Sequence, residues 1–233
     1  MNIQILQMLQ GARNAVGLTV IIDVFRACTV TSYLFHNGAE AVLPVAKIDE
    51  AYRLKQDNPS FILIGERYGR KQVGFQYGNS PDEIHQIDFT GKTIIQTTSA
   101  GTQGIAHASG ADEIITGCLV NAEAVAQYIL QRNPLQVSLV CMGVAGRFES
   151  EEDTVCAEYI KSLLENKPYP VESAIKQLKD TSGKNFFDSE NWDWAPKNDF
   201  YLCTDLNRFH FVLKAERTPE GITRLRKIED FTK

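Results

Sequence analysis

Six short apolar runs recur between Leu18 and Cys141: Leu18 to Ile22, Ala41 to Val45, Phe61 to Ile64, Thr93 to Gln96, Glu113 to Thr116 and Gln136 to Cys141. They are separated by stretches with helical periodicity or helix-end signals. This alternation restricts the fold more than any other feature. Runs this short and this apolar read as strands of a parallel sheet buried on both faces, and such a sheet needs helical crossovers between its strands. The helix after Asn121 is the clearest, with Ala122, Val125, Ala126, Ile129 and Leu130 on one face. Val155, Cys156, Tyr159, Ile160, Leu163 and Leu164 form a second such face. Val24 to Phe35, closed by Asn37-Gly38, and Asp49 to Lys55 also read as helices. Asn2 to Leu9 fits an edge strand, Gly11 to Gly17 a polar turn, and Phe61 to Ile64 a central strand.

The expected fold is therefore α/β, a three-layer α/β/α arrangement with a mostly parallel sheet in residues 1–166. From Asn166 the chain turns polar, with Pro168, Pro170 and Pro196 and the aromatic residues Phe186, Phe187, Trp192 and Trp194. Strands are expected at Phe200 to Thr204 and Phe209 to Lys214, so residues 167–233 read as a C-terminal α/β appendage packed on the core.

At 233 residues with 43% hydrophobic content, the chain can bury an ordinary core. A net charge of -5 and the lack of any Lys/Arg run argue against nucleic acid or an anionic membrane as partner. No apolar run approaches the ~20 residues of a membrane span, and no secretory leader is visible, so a cytoplasmic protein is expected. Five cysteines without a CxxC argue against a disulfide framework or a structural zinc site.

Ligands of open α/β sheets bind outside the carboxyl ends of the strands. Asp23 and Arg26 follow one strand, and Glu66 and Arg67 follow another after Gly65. A carboxylate and a guanidinium at each of two strand ends suit a metal and a substrate anion; alternatively they are caps and ion pairs. Ser80, Pro81 and Glu83 spell a capping box and a helix start, so the amides after Asn79 would attract an anion. The loop Thr97 to Gly104, with Thr98, Gly101 and Thr102, could cradle a phosphate, although it lacks the Lys of a nucleotide loop and the full GxGxxG. Four acids, Glu149, Glu151, Glu152 and Asp153, begin the next helix. Ser150 and Asp153 match a capping box, and Asp153 could equally complete a magnesium site with Asp23 and Glu66. Cys141 and Arg147, five residues apart in CMGVAGR, have the spacing of a cysteine-dependent phosphatase loop, but the acids that follow would raise the thiol pKa. No His pair shows metal-ligand spacing.

The segments IDVFRACT, AVLPV, GERYGR, GFQYGNSPDE, TTSAGT, CLVNAEAV and ESEEDTVCAEYI, in order from Leu18 to Leu164, together with DFYLCTDLN from Asp199, resemble the 2-phosphosulfolactate phosphatase family. The resemblance implies two linked α/β layers and a magnesium-dependent acid phosphatase acting on phosphate monoesters of 2-hydroxy acids, with its named substrate in coenzyme M synthesis. This chain departs from the family pattern at Phe25, Cys28, Ser99-Ala100-Gly101 and Met142.

The combined expectation is a metal-assisted hydrolase of a small anionic phosphorylated substrate, with a homodimer left open. Asp23, Arg26, Glu66 and Arg67 would be catalytic, with Mg2+ held by Asp23, Glu66 and Asp153. Asn79, Ser80, Thr97, Thr98, Gly101 and Thr102 would bind substrate. The alternatives are a non-catalytic binding protein for a phosphorylated acid, a cysteine phosphatase using Cys141 and Arg147, and a nucleotide-dependent enzyme on the same architecture.

Overall fold

The computed structural model describes residues 1–231. Its strands are β1 (Asn2–Gln7), β2 (Gly17–Ile22), β3 (Ala41–Pro44), β4 (Ile62–Arg67), β5 (Arg70–Lys71), β6 (Thr93–Thr97), β7 (Ala111–Gly117), β8 (Gln136–Cys141), β9 (Val212–Arg217) and β10 (Thr223–Ile228). Its α-helices are α1 (Met8–Asn14), α2 (Ala27–His36), α3 (Ile48–Asp57), α4 (Pro81–Ile84), α5 (Gly101–His107), α6 (Ala122–Arg132), α7 (Glu151–Glu165), α8 (Val171–Gln177) and α9 (Lys197–Cys203). Each of the six apolar runs forms a strand, because each buries both faces under helices. Val20, Ile21, Ile22, Leu139 and Val140 are all fully buried.

The strands join in one sheet of order β1-β8-β2-β7-β9-β10-β3-β6-β4-β5. Two parallel blocks, β1-β8-β2-β7 and β3-β6-β4, flank the hairpin β9–β10, which pairs antiparallel with β7 on one side and β3 on the other. The fold is thus mixed α/β with a mostly parallel sheet, as expected. Three antiparallel steps separate β7 from β3, so the two blocks run in opposite senses. Residues 167–233, expected as an appendage, supply the two strands that join the blocks.

Strand twist offsets that opposition. At 20–25° per neighbour, the six steps from β2 to β4 accumulate roughly 120–150°, which turns the carboxyl end of β4 back toward that of β2. Helix α2 lies between the blocks and is buried from Ala27 through Phe35. Its hydroxyls are satisfied locally: Thr29 Oγ1 donates to Val24 O, Thr31 Oγ1 to Ala27 O and Ser32 Oγ to Cys28 O. Thr31 Oγ1 also lies 2.7 Å from Gln96 Oε1, sharing its one proton between that oxygen and Ala27 O, and Gln96 Nε2 donates to Ala27 O at 3.1 Å, tying α2 to β6.

Four local expectations are corrected. Residues Met8–Asn14 form a helix where the end of an edge strand, to Leu9, and the start of a polar turn, from Gly11, were expected, because Gly11 and Ala12 pack inward. The expected strand Phe200 to Thr204 is helical, since Asp199, Phe200 and Cys203 are buried at helical spacing while Tyr201 faces out. β4 lies next to the sheet edge, covered only by the two-residue β5, so it is not central. Helix α2 begins at Ala27, leaving Asp23 to Arg26 as a turn whose Phe25–Arg26 peptide is cis. Among the described residues no helix is long and apolar enough to cross a membrane.

Candidate active site

A cavity of about 360 Å³ opens where the carboxyl ends of β2, β4, β6 and β8 converge. Asp23, Phe25 and Arg26 enter it after β2, Glu66 is the penultimate residue of β4 and Tyr68 and Gly69 follow the strand, Ser99 and Ala100 come after β6, and Gly143 to Ala145 come after β8. Asn79 and Glu152 add polar groups. Ser182, Asn185, Phe186, Trp194 and Ala195 form the opposite wall, so the aromatic C-terminal segment faces the same space. Arg70 and Asp193 pair at 2.6 Å outside, and Trp194 packs on Gly69, joining this wall to the β4–β5 turn.

The acids at the cavity differ in how they are held. Asp23 Oδ1 accepts the Ala27 amide at 3.0 Å, and a Cβ at Gly101 would stand 2.8 Å from Asp23 Oδ2, so only glycine fits there. Burial, with added repulsion from Glu66 and Glu152, pushes the Asp23 carboxyl up to about 7. Glu66 accepts three hydrogen bonds: Ser99 N to Oε1 at 2.6 Å, Gly69 N to Oε2 at 2.7 Å and Ser99 Oγ to Oε2 at 3.1 Å. Glu152 is 5% exposed, burial raises its pKa, and its Oε2 has no hydrogen-bond partner. Asp153 lies outside the cavity lining. Its Oδ1 accepts the Val24 amide and its Oδ2 the Gly143 amide, each at 2.8 Å. The expected capping box at Ser150 is absent because Asp153 is committed elsewhere and the Ser150 hydroxyl is unpartnered.

The two arginines have different surroundings. Arg26 is buried at the cavity wall, 2.5 Å from Asp199 Oδ2 and with its guanidinium 5.8 Å from the Phe186 ring centre. Arg67 is outside the cavity lining: it donates to Glu66 O and Ala46 O at 2.6 and 3.0 Å and to Thr97 Oγ1 at 2.6 Å. Thr98 and Thr102 bond reciprocally, the Thr98 amide to Thr102 Oγ1 at 2.9 Å and the Thr102 amide to Thr98 Oγ1 at 3.2 Å. Thr97, Thr98 and Thr102 therefore brace the loop that presents Ser99 and Ala100. Ser80 faces Asp199, 2.8 Å from Oδ1, and caps α4 through Glu83 N; Glu83 turns to the Gly78 amide at 2.6 Å, so half of the expected capping box forms. Asn79 reaches the cavity, and its buried Oδ1 has no partner.

Cys141 is fully buried, burial drives its thiol far above the ordinary range, and neither it nor Arg147 lines the cavity. That geometry excludes the cysteine-nucleophile alternative.

Among the described residues no group of three or more His, Cys, Asp or Glu side chains is arranged to hold a metal ion. Asp153 lies outside the cavity lining with its oxygens on the Val24 and Gly143 amides, so it does not join Asp23 and Glu66 at the cavity. Of the three, Asp23 and Glu66 line the cavity, Glu66 with both oxygens accepting bonds from Ser99 and Gly69. Mg2+ binds through one or two carboxylates, keeps several waters and takes a substrate phosphate oxygen. Asp23, Glu66 and Asn79 line the cavity and would supply such a donor set.

Asp199, Glu152 and the Ser182 to Ala195 wall were not singled out from the sequence as site residues. Glu152 lay within a run of acids that caps a helix equally well, and Asp199 stood just before a stretch that reads as a strand.

The profile of the 2-phosphosulpholactate phosphatase family matches residues 4–217. A probable 2-phosphosulfolactate phosphatase of Caldanaerobacter subterraneus subsp. tengcongensis is 34% identical over 219 residues, covering 88% of this chain and 89% of that protein. One of Bacillus subtilis is 32% identical over 207 residues, 87% of this chain and 89% of its own. One of Carboxydothermus hydrogenoformans reaches 43% over 145 residues, 62% of this chain and 59% of its own. A match of this length, over strands and loops that build one cavity, makes the chain a member of the 2-phosphosulpholactate phosphatase family.

Proposed function

We propose that the chain is a magnesium-dependent hydrolase of small phosphate monoesters of 2-hydroxy acids, with 2-phosphosulfolactate as the first ester to test. The observation that carries the reading is the makeup of one cavity. Asp23, Glu66 and Glu152 line it, the lining cation Arg26 already faces Asp199, and the buried Asn79 Oδ1 has no partner. A polyanionic substrate would be repelled by such a lining unless a cation offset it. Magnesium held by Asp23, Glu66 and Asn79 would supply that charge and polarise a phosphoryl oxygen.

The chain's own groups do the rest. Arg26 binds a phosphoryl oxygen through the guanidinium donors that Asp199 leaves free. The Glu152 carboxylate accepts a hydrogen bond from the attacking water and takes its proton. The water oxygen bonds to phosphorus and the ester P–O bond breaks with its electron pair on the alcohol oxygen, which takes a proton from solvent; the alcohol and inorganic phosphate leave, and Glu152 returns its proton to solvent. Phe25, Phe186 and Trp194 limit bulk water at the wall, which strengthens each of these electrostatic contacts.

The test is phosphate release from a panel of phosphomonoesters, including phospholactate and 2-phosphosulfolactate, with magnesium and with excess chelator. Release that requires magnesium and favours 2-hydroxy-acid esters supports the reading. Tight phosphate binding without turnover on any ester would replace the hydrolase with a binding protein.

A further inference from the structure

We infer that Asp199 is a positioning residue for substrate binding, fixing the Arg26 guanidinium so that its remaining donors face the phosphoryl group. The inference rests on the reading of this cavity as a phosphomonoester site. Asp199 lies in the first turn of α9, far along the chain from β2, and its side chain is fully buried. Three donors fix the plane of its carboxylate. Ser80 Oγ and the Asp82 amide reach Oδ1 at 2.8 and 2.9 Å, and Arg26 Nη1 reaches Oδ2 at 2.5 Å.

That bond is the only side-chain hydrogen bond Arg26 makes among the described residues. A guanidinium carries five donors in a rigid planar fork, so fixing one nitrogen fixes the direction of the others. Phe186, with its ring centre 5.8 Å from the guanidinium carbon, limits movement on one side. The segment at Asn79 and Ser80 thus contributes twice: Asn79 faces the cavity, while Ser80 holds the carboxylate that holds Arg26. An arginine without this support would keep its charge and lose its aim.

The alternative role is charge balance, in which Asp199 only neutralises a buried guanidinium. The two roles differ in sign. Removing the charge of a neutralising carboxylate leaves Arg26 more strongly positive, and anions bind tighter. Removing a positioning carboxylate leaves Arg26 free to turn, and anions bind more weakly.

The experiment measures binding of inorganic phosphate by calorimetry in the presence of magnesium, for the wild-type chain, Asp199→Asn, Arg26→Ala and the double variant, with thermal melts alongside. Asp199→Asn keeps the side-chain shape. Positioning predicts that it weakens phosphate binding on the order of tenfold, and that in the Arg26→Ala background it adds less than twofold. Unchanged or tighter binding by Asp199→Asn while Arg26→Ala still weakens it would overturn the positioning role and leave the phosphate reading intact. Normal binding by Arg26→Ala would remove the anion clamp itself, and the inference with it. If Asp199→Asn does not fold, Ser80→Ala, which removes one of the three bonds to the carboxylate, is read the same way: weaker binding supports positioning, and unchanged or tighter binding overturns it.

Discussion

Asp153 accepts the Val24 amide at 2.8 Å, and its other oxygen takes the Gly143 amide at the same distance, so one carboxylate joins the chain leaving β2 to the chain leaving β8. Both loops line the cavity, and Asp23 is the residue before Val24. Asp153 therefore supports the site from beneath.

Asp153→Ala would leave two amides without their acceptor. A buried unpaired amide costs about 1–3 kcal/mol and the part-buried Gly143 amide less, so destabilisation of about 2–4 kcal/mol is expected by chemical denaturation. Phosphatase turnover should fall as the β2 and β8 loops lose register. Wild-type stability in this variant would show that the carboxylate is not needed to hold them together.

Arg67 is expected to act differently from Arg26. Its bonds run to two carbonyls and to Thr97, away from the cavity lining. Arg67→Ala should lower stability by about 2 kcal/mol and leave phosphate affinity within about twofold in the fraction that folds. A loss of affinity matching that of Arg26→Ala would restore Arg67 as an anion ligand.

The raised Asp23 pKa gives a pH dependence of defined sign. An unfolded Asp titrates near ~4, whereas burial holds the folded carboxyl at about 7. Between those values the folded state binds more protons, so this group makes the metal-free protein less stable as pH rises through the window. In excess chelator, the difference in melting temperature between Asp23→Asn and wild type should widen in favour of the variant from pH 5 to pH 8. Magnesium should raise the wild-type melting temperature more at pH 8 than at pH 5, because protons compete for the same oxygens. A constant difference across that range would contradict the assignment.

Glu152 lines the cavity, and its buried Oε2 is unpartnered. Glu152→Gln keeps its volume and removes its basicity, so kcat should fall on the order of 10²-fold with KM nearly unchanged. A matching rise in KM with kcat preserved would make Glu152 a substrate contact and not the acceptor of the water proton.

The sequence made the strands legible because each is an apolar run buried on both faces, and it made Asp23 and Glu66 legible because each follows such a run. It hid the pairing across the middle of the sheet. β9 and β10 each carry alternating charged residues, Lys214 opposite Arg226 and Glu216 opposite Arg224, so they read as surface strands although they sit at the centre of the sheet order. The opposed sense of the two blocks follows from that hairpin and cannot be read from local periodicity. Asp199 was hidden for a related reason: Phe200 to Thr204 has β-prone side chains, and its helical form is set by what Phe200 and Cys203 pack against. Arg67 was misleading because adjacency to Glu66 in the chain puts the two side chains on opposite sides of a strand.

The most direct measurement is the initial rate of phosphate release from 2-phosphosulfolactate by wild type, Asp23→Asn and Glu66→Gln, each with magnesium and with excess chelator. The account predicts turnover only for wild type with magnesium, with a loss on the order of 10²-fold or more in each variant. Undiminished turnover in both variants, or in chelator, would contradict a metal-assisted reaction at this cavity.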